Sequence, residues 1–295
     1  MLHGWIILDK PLGLGSTTAV SAVKRILREA GEPKTKVGHG GTLDPLASGV
    51  LPIALGEATK LAGRMLDATK SYDFRIRFGE ETDTLDAEGA VVARSNVRPT
   101  QEQLEAILGR FTGEIEQLPP AYSALKIDGK TAYASARAGE DVVMKARRIA
   151  IHALAARRSS EGDDIALSAT VSKGTYIRSL ARDIARALGT VGDVSYLRRS
   201  RAGPFGLDQA VSLDFLEETA KARQLTRTVL PLQAALDDIP ALPVDPGQAQ
   251  LLRHGQRLSG FPEQPGLQLA TSDDVPVALV EATADGLKVV RGFNL

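Results

Sequence analysis

The stretch that decides the fold runs from Val37 to Lys60 and reads VGHGGTLDPLASGVLPIALGEATK. Its one aspartate, Asp44, follows a run of glycines and precedes a proline, which biases the aspartate away from helix. Glycines allow backbone angles that other residues avoid and let a partner approach the chain closely. The apolar run Val50–Leu55 is typical of a buried strand. The pattern predicts a carboxylate held on a rigid loop and presented to a bulky ligand, but it names no reaction.

As a whole, this stretch resembles the signature motif of the bacterial pseudouridine synthases that modify the T loop of transfer RNA, the TruB family. Four other segments match further blocks of that family in the same order: Trp5–Pro11, Pro119–Lys126, Ser172–Arg182 and Ser195–Arg199. A long, ordered match is far more specific than one short motif. The resemblance runs from the N-terminal strand to the end of the last block and is faint beyond it.

The composition is that of an ordinary globular protein, with 43% hydrophobic and 24% charged residues among 295. The Val50–Leu55 run is too short to span a membrane, and the N-terminus lacks the long apolar core of a secretory signal. Zero cysteines exclude disulfides and thiolate metal ligands, and the four histidines show no metal-ligand spacing. We therefore expect a cytoplasmic protein without a metal, and a monomer with no obligatory protein partner.

The net charge is zero, yet the basic residues are segregated into two clusters. The first basic cluster, from Lys126 to Arg158, holds eight basic and three acidic residues. The second basic cluster, from Lys173 to Arg201, holds seven basic and two acidic residues. Segregated charge can present a basic face to phosphates even in a neutral chain. Solvated helix and strand faces would explain either cluster equally well on its own.

Local patterns predict an α+β domain built on a large mixed or antiparallel sheet flanked by helices. The predicted strands are Gly4–Leu8, Val50–Leu55, Tyr72–Phe78, Tyr122–Ile127, Ile149–Ala155 and Ile165–Val171. Four helices are predicted here. One begins after an N-cap at Ser16, one covers Glu57–Leu66, one begins at a Thr100–Gln103 capping box, and one covers Tyr176–Leu188. The resemblance implies that this domain has the pseudouridine synthase fold.

The pattern of predicted elements changes after Arg201. Val211–Leu236 is predicted to be helical, and the three prolines of Ile239–Pro246 predict a linker. Short apolar runs separated by turns then predict a small β-rich module. We therefore divide the chain into a catalytic domain, residues 1–238, and a C-terminal module, residues 239–295. The resemblance implies that the module is a PUA-like RNA-binding barrel.

The resemblance implies that a uridine loses its bond between uracil N1 and ribose and regains one through uracil C5. This isomerisation needs no cofactor, and the sequence has neither a P-loop nor a GxGxxG motif. Asp44 is the candidate for the anionic group, which either adds to C1′ or removes a C2′ proton. An isolated Leu-Asp-Pro is more typical of a turn. Asp83 and Asp86 are rival carboxylates, for which solvation in an acidic loop is the simpler explanation.

The resemblance also assigns neighbours to Asp44. Arg178 of the KGTYIRS block is expected to form an ion pair with it, although an exposed helix arginine would fit the local sequence too. Tyr72 is expected to stack on the uracil and to take part in C5 deprotonation. The alternative role for this residue is ordinary side-chain packing in a strand. Tyr176 and Leu197 are expected to form apolar walls around the base.

Two further residues are assigned to RNA binding. His39 resembles the family histidine that enters the T-loop stack once the target base is extruded. Flanked by Gly38 and Gly40, it has no predicted helix or strand face to pack on. Lys60 is expected to contact a phosphate, a contact that positions RNA without reading its sequence. The extrusion of the base costs a few kcal/mol of stacking, which contacts in the pocket partly recover.

The resemblance therefore implies a transfer RNA pseudouridine synthase that acts on the T-loop uridine numbered 55 and binds the T-arm stem-loop. A non-catalytic RNA-binding protein on the same scaffold is one alternative, and a guide-dependent relative acting on other RNA is a second. A glycoside hydrolase is the third, but such enzymes usually need two carboxylates and Asp44 has no partner in a matching motif.

Overall fold

The computed structural model describes residues 1–127, 129–140, 142–157, 164–260 and 265–295. The sequence also predicts an Asp128-Gly129 turn after Tyr122–Ile127 and a polar turn over Ser159–Asp164. Asp128 and residues 159–163 lie outside the described residues. Arg158 of the first basic cluster also lies outside them.

Seventeen strands occur in the described residues. They are β1 Gly4–Lys10, β2 Val37–His39, β3 Ala47–Leu55, β4 Lys70–Phe78, β5 Glu80–Thr82, β6 Val91–Arg94, β7 Gly113–Gln117, β8 Lys126–Ile127, β9 Lys130–Thr131, β10 Arg147–Arg157, β11 Ile165–Val171, β12 Gly192–Ala202, β13 Phe205–Gly206, β14 Ala241–Pro243, β15 Gly266–Ser272, β16 Val275–Thr283 and β17 Gly286–Gly292.

Seven α-helices accompany them in the same residues. They are α1 Ser16–Glu29, α2 Ala62–Asp67, α3 Gln101–Leu108, α4 Ala132–Arg137, α5 Ile177–Ala187, α6 Leu213–Lys221 and α7 Pro246–Arg253. Short 3₁₀ helices lie at Gly56–Leu61, Gly109–Phe111, Leu207–Gln209, Leu225–Thr228 and Leu232–Ala235. Over the described ranges, no helix combines the length and the apolar character needed to cross a membrane.

Nine of the described strands form one mixed sheet in the order β1-β3-β12-β4-β11-β10-β7, with β2 attached to β3 and β13 to β12. The β3–β12 pair is parallel, and the other pairs of this sheet are antiparallel. Strand β4 lies at its centre, with Tyr72 opposite Arg199 of β12 and Ala169 of β11. The predicted α+β fold with a large mixed sheet is confirmed.

Helix α5 covers the centre of the sheet because its apolar side chains pack against one face of β4 and β12. Leu180 and Ile184 are fully buried in a cluster with Phe74, Ile76 and Leu197. Alternate residues of a strand point to one face, so the core face of β4 and β12 also carries Tyr72 and Arg199. Helix α5 and these two strands together enclose the site described below.

The C-terminal module contains a four-stranded sheet in the order β14-β15-β16-β17. The proline-rich segment predicted to be a linker contains β14, which pairs in parallel with β15. That prediction was wrong because pairing with an adjacent strand outweighs the low strand propensity of proline at a sheet edge. The C-terminal sheet also shares a core with the rest of the chain, since fully buried Phe293 belongs to one cluster with Trp5 and Phe205.

Other local predictions need correction. Ser16 is the first residue of α1 rather than its N-cap, which is Gly15. Only the end of Tyr122–Ile127 is a strand. The segments Glu57–Leu66 and Val211–Leu236 alternate 3₁₀ and α-helical turns instead of forming continuous helices. Tertiary contacts override local propensity in all of these segments.

Candidate active site

Asp44 lies on a loop between β2 and β3 that its neighbours hold in place. The Ser16 hydroxyl accepts a hydrogen bond from the Leu43 amide and donates one to the Leu43 carbonyl, both at 2.8 Å. The Ala47 amide donates to the Asp44 carbonyl at 3.0 Å and closes a turn before β3 begins. Leu43 is buried while the Asp44 side chain is 39% exposed. The loop therefore anchors one residue in the core and presents the next to a cavity.

The predicted ion pair between Asp44 and Arg178 is present. Arg178 Nη2 lies 2.8 Å from Asp44 Oδ2, and Nη1 lies 3.3 Å from Asp86 Oδ2. The same guanidinium donates to the carbonyls of Thr84, at 2.8 Å, and Tyr122, at 3.0 Å. Arg178 is 6% exposed, which rules out the exposed helix arginine. Its buried charge stabilises a negative charge on Asp44.

Asp86 was expected to be solvated, and this expectation was wrong. The residue is 6% exposed and shares Arg178 with Asp44. Its Oδ1 accepts hydrogen bonds from the Thr84 hydroxyl at 2.6 Å and the Glu88 amide at 3.1 Å. Asp83, the other rival, is exposed and accepts a hydrogen bond from the Tyr122 hydroxyl. Asp86 therefore helps to orient Arg178, while Asp83 belongs to the surface.

A cavity of about 280 Å³ opens beside Asp44. Its lining includes five of the predicted site residues: Asp44, Tyr72, Tyr176, Arg178 and Leu197. Burial raises the pKa of the Tyr176 hydroxyl above its usual value, which keeps this wall neutral. The volume lies just below the usual range for ligand pockets, about 300–1,000 Å³. A carboxylate, two aromatic rings and a leucine thus surround one space that can take a planar base.

Tyr176 is positioned by a residue that the sequence did not single out. The side-chain amide of Gln117 accepts from the Tyr176 amide at 2.8 Å and donates to the Tyr176 carbonyl at 3.2 Å. Gln117 ends β7 and is 2% exposed. Tyr176 is the residue that caps α5, two positions before Arg178. The buried amide therefore ties the edge of the sheet to the start of the helix that carries the site.

Near Asp44 lie three buried cations that were not predicted from the sequence to be site residues. Arg199 is 1% exposed and Lys70 is 7% exposed, and both line the cavity. Lys10 is fully buried and donates to the carbonyls of Leu14, at 2.6 Å, and Pro45, at 3.4 Å. Burial lowers the pKa of Lys10 and that of Lys70 to about 8. Strand alternation would have revealed Arg199, because it lies two residues after Leu197 on the same face.

His39 and Lys60 do not line this cavity. His39 is part of β2, opposite Ile53, so the expectation that it lacks a strand was wrong. Burial, reinforced by the positive charge of Arg199, lowers the pKa of His39. Lys60 Nζ contacts the Glu57 carboxylate at 2.6 Å and the Gly292 carbonyl at 2.9 Å, and so joins the 3₁₀ helix Gly56–Leu61 to β17. RNA contacts by His39 and Lys60 stay predictions.

The two basic clusters differ in exposure. All seven described basic residues of the first cluster are exposed: Lys126, Lys130, Arg137, Lys145, Arg147, Arg148 and Arg157. In the second cluster Arg178, Arg182 and Arg199 are buried. Arg182, for example, donates to the Leu118 carbonyl at 3.0 Å. The first basic cluster is therefore a candidate phosphate-binding face, whereas two buried members of the second, Arg178 and Arg199, line the cavity.

Family models match most of the chain. The model described as TruB family pseudouridylate synthase (N terminal domain) matches residues 24–177. The model described as tRNA pseudouridylate synthase B C-terminal domain matches residues 178–237. The boundary between the two matches falls at Arg178, inside the site.

Relatives and solved structures agree with these matches. Proteins named tRNA pseudouridine synthase B from Novosphingobium aromaticivorans and Zymomonas mobilis are 60% and 59% identical. The alignments cover 100% and 99% of this chain and 98% and 96% of those proteins. A structure of an H/ACA RNP bound to a substrate RNA containing 2′-deoxyuridine has a TM-score of 0.74 at 25% identity, covering 99% of this chain and 86% of that one. A Cbf5-Nop10-Gar1 complex has a TM-score of 0.74 at 26% identity, covering 99% and 85%. The chain belongs to the TruB family of pseudouridylate synthases.

Proposed function

We propose that this protein converts the T-loop uridine at position 55 of transfer RNA to pseudouridine. The family membership and the printed names of the relatives support the reaction and the class of RNA. The position within the RNA rests on the motif that surrounds Asp44. The T-arm stem-loop is the proposed ligand, and the enzyme is proposed to act as a cytoplasmic monomer without a cofactor.

The observation that carries the proposal is the Asp44–Arg178 pair at the wall of a base-sized cavity. Asp44 is the one carboxylate in the lining of that cavity, which the described residues define. Tyr72 and Tyr176 supply aromatic surface on the same lining, and stacking on aromatic side chains stabilises an extruded base. The target uridine therefore leaves the T loop and enters the cavity with its ribose beside Asp44.

Two chemical routes are open to Asp44. As a nucleophile, its carboxylate donates an electron pair to C1′ while the C1′–N1 bond breaks. As a base, it removes the C2′ proton and a C1′–C2′ double bond forms as the same C1′–N1 bond breaks. In both routes uracil is released as an anion, turns in the cavity and bonds to C1′ through C5. As this bond forms, the Asp44–C1′ bond breaks in the first route and C2′ regains its proton in the second. C5 then loses its proton and N1 gains one.

The three alternatives have weaker support. A non-catalytic scaffold has no physical need for a buried Arg178 held between two carboxylates. The solved H/ACA RNP and Cbf5-Nop10-Gar1 structures are only 25–26% identical to this chain, whereas relatives at 59–60% are named tRNA pseudouridine synthase B, which favours the transfer RNA enzyme over a guide-dependent relative. For a glycoside hydrolase the second carboxylate would be Asp86, but it is 6% exposed and bound to Arg178.

The proposal is tested by Asp44→Asn, which keeps the shape of the side chain and removes its charge. Pseudouridine formation in single-turnover assays should be abolished, while transfer RNA affinity stays within about tenfold, because the loss affects the chemical step. Asp83→Asn is the matched control, since Asp83 is an exposed carboxylate outside the cavity lining. An Asp44→Asn enzyme with a substantial fraction of wild-type turnover would show that Asp44 is not the reacting group.

A further inference from the structure

The cavity beside Asp44 contains two positive side chains that the reaction outlined above does not use. Among the residues lining it, Arg178 is balanced by Asp44 and by nearby Asp86. Lys70 and Arg199 also line it, but neither forms an ion pair with a carboxylate of the described residues. This side of the cavity therefore carries uncompensated positive charge in the free protein.

Backbone carbonyls satisfy the hydrogen-bond donors of both side chains. Lys70 Nζ donates to Leu66 O at 2.6 Å and to Ala68 O at 2.7 Å. Arg199 donates to Val50 O at 2.7 Å, Thr42 O at 3.1 Å and Gly41 O at 3.2 Å. These bonds fix the side chains, but a neutral amide could make some of them without the cost of burying a charge. Desolvation lowers the pKa of Lys70 to about 8, a sign of that cost.

The two charges flank the ring on which the uracil is proposed to stack. Arg199 lies directly opposite Tyr72 in the β4–β12 pairing, and Lys70 precedes Tyr72 by two residues on the same face. Gly41 packs against both charges: a Cβ added there would lie 3.8 Å from Arg199 Nη1 and 3.9 Å from Lys70 Cε. The loop leading to Asp44 and the positive side chains thus meet at the floor of the cavity.

We propose that Lys70 and Arg199 stabilise the uracil anion that is released when the C1′–N1 bond breaks. The electron pair of that bond goes to N1 and is shared with O2 and O4, so the detached base carries one negative charge. Both routes open to Asp44 produce this anion, so the inference rests on the proposed function but not on the choice of route. Fixed charges in a dry site stabilise a developing anion more strongly than water does.

A phosphate of the RNA is the other anion that could meet these charges. A phosphate stays at the mouth of the cavity when its base enters, whereas Lys70 and Arg199 are 7% and 1% exposed. Their burial therefore favours the base over the backbone. A phosphate contact would contribute to affinity and to its salt dependence, and an anion formed only during the reaction would not.

The test compares Lys70→Gln, which keeps a donor for the carbonyls of Leu66 and Ala68, with Lys70→Arg, which keeps the charge. Lys70→Gln should lower the single-turnover rate by about tenfold or more, in keeping with the loss of one contact to a developing anion. Its transfer RNA affinity should stay within about twofold, with the same salt dependence. Lys70→Arg should keep most of the rate. Lys24→Gln, on the exposed side of α1, is the matched control for loss of a lysine.

A substrate with fluorine at C5 of the target uridine sharpens the test. The fluorinated base leaves as a weaker base and needs less stabilisation, so the Lys70→Gln defect in N1–C1′ cleavage should shrink several-fold. An equal defect with both substrates would indicate that Lys70 only positions the loop, and lower affinity with an unchanged rate would indicate a phosphate contact. Either result would overturn the inference, as would an unchanged rate. A wild-type protein that forms no pseudouridine would instead contradict the proposed function.

Discussion

Tyr72 lies on the cavity wall beside Arg199 and can contribute either its ring or its hydroxyl to the reaction. Tyr72→Phe keeps the ring, and Tyr72→Leu removes both. If the hydroxyl takes part in C5 deprotonation, as we expect, Tyr72→Phe should stall the reaction after N1–C1′ cleavage with affinity intact. If only the ring matters, Tyr72→Phe should have nearly wild-type activity, and Tyr72→Leu should lose about 1–3 kcal/mol of stacking free energy.

Single-turnover assays that measure both loss of uridine and gain of pseudouridine separate these outcomes for Tyr72. Wild-type behaviour of both variants would mean that Tyr72 is ordinary strand packing. Its half-buried position against the core cluster makes this a real alternative.

At individual positions, the sequence was informative where a residue stands in a motif and poor where burial decides its role. Asp44 and Arg178 could be paired from their motifs, and the structure brings them to 2.8 Å. Asp86 could not be recognised, because its local sequence is acidic and only the fold buries it against Arg178. Arg199 was counted as a surface charge although strand alternation places it on the core face.

At the scale of elements, the site depends on how β7 is tied to the start of α5. Replacing Gln117 by Leu removes both hydrogen bonds to the Tyr176 backbone. The partly buried Tyr176 amide then loses its partner, while the Tyr176 carbonyl keeps the hydrogen bond from the Leu180 amide. We expect the free energy of unfolding to fall by about 1–3 kcal/mol, the cost of an unsatisfied buried polar group. The pseudouridylation rate should fall as well, because Tyr176 and Arg178 are no longer held in place.

Thermal and denaturant unfolding, together with single-turnover rates, check this prediction. Glu116→Leu is the matched control, because Glu116 is the exposed neighbour of Gln117 on β7. Equal stability of the Gln117→Leu and wild-type proteins would show that the two Gln117–Tyr176 hydrogen bonds make no net contribution to the free energy of unfolding.

Long periodic elements could be predicted, whereas segments shaped by tertiary contacts could not. The prediction of Tyr176–Leu188 agrees closely with α5, Ile177–Ala187, because an amphipathic pattern ended by Gly189 is a strong signal. The short strand β14 was read as a linker because its pairing with β15 comes from distant residues. The order of the nine-stranded sheet, with β12 inserted between β3 and β4, depends on contacts that no local pattern encodes.

At the scale of the whole molecule, transfer RNA binding should weaken steeply with salt, because lysines and arginines that neutralise phosphates release counterions. The exposed first basic cluster is the candidate face. Replacing Arg147 and Arg148 by Gln should reduce the slope of log affinity against log salt by about two, if each contacts one phosphate. Replacing exposed Lys24 and Arg28 of α1 by Gln should leave the slope unchanged.

Filter binding or fluorescence titration between about 50 and 200 mM salt covers the range in which several phosphate contacts matter. A flat affinity over that range would contradict the basic-face interpretation. An unchanged slope in the Arg147/Arg148 variant would indicate that the phosphate contacts lie on another part of the surface.

The most direct test of the account is to map pseudouridine in unmodified transfer RNA after treatment with the purified protein. The account predicts conversion of the T-loop uridine at position 55 without added cofactor, and no conversion with the Asp44→Asn protein. Absence of pseudouridine with an intact wild-type protein, or its formation at another position, would contradict the central claim.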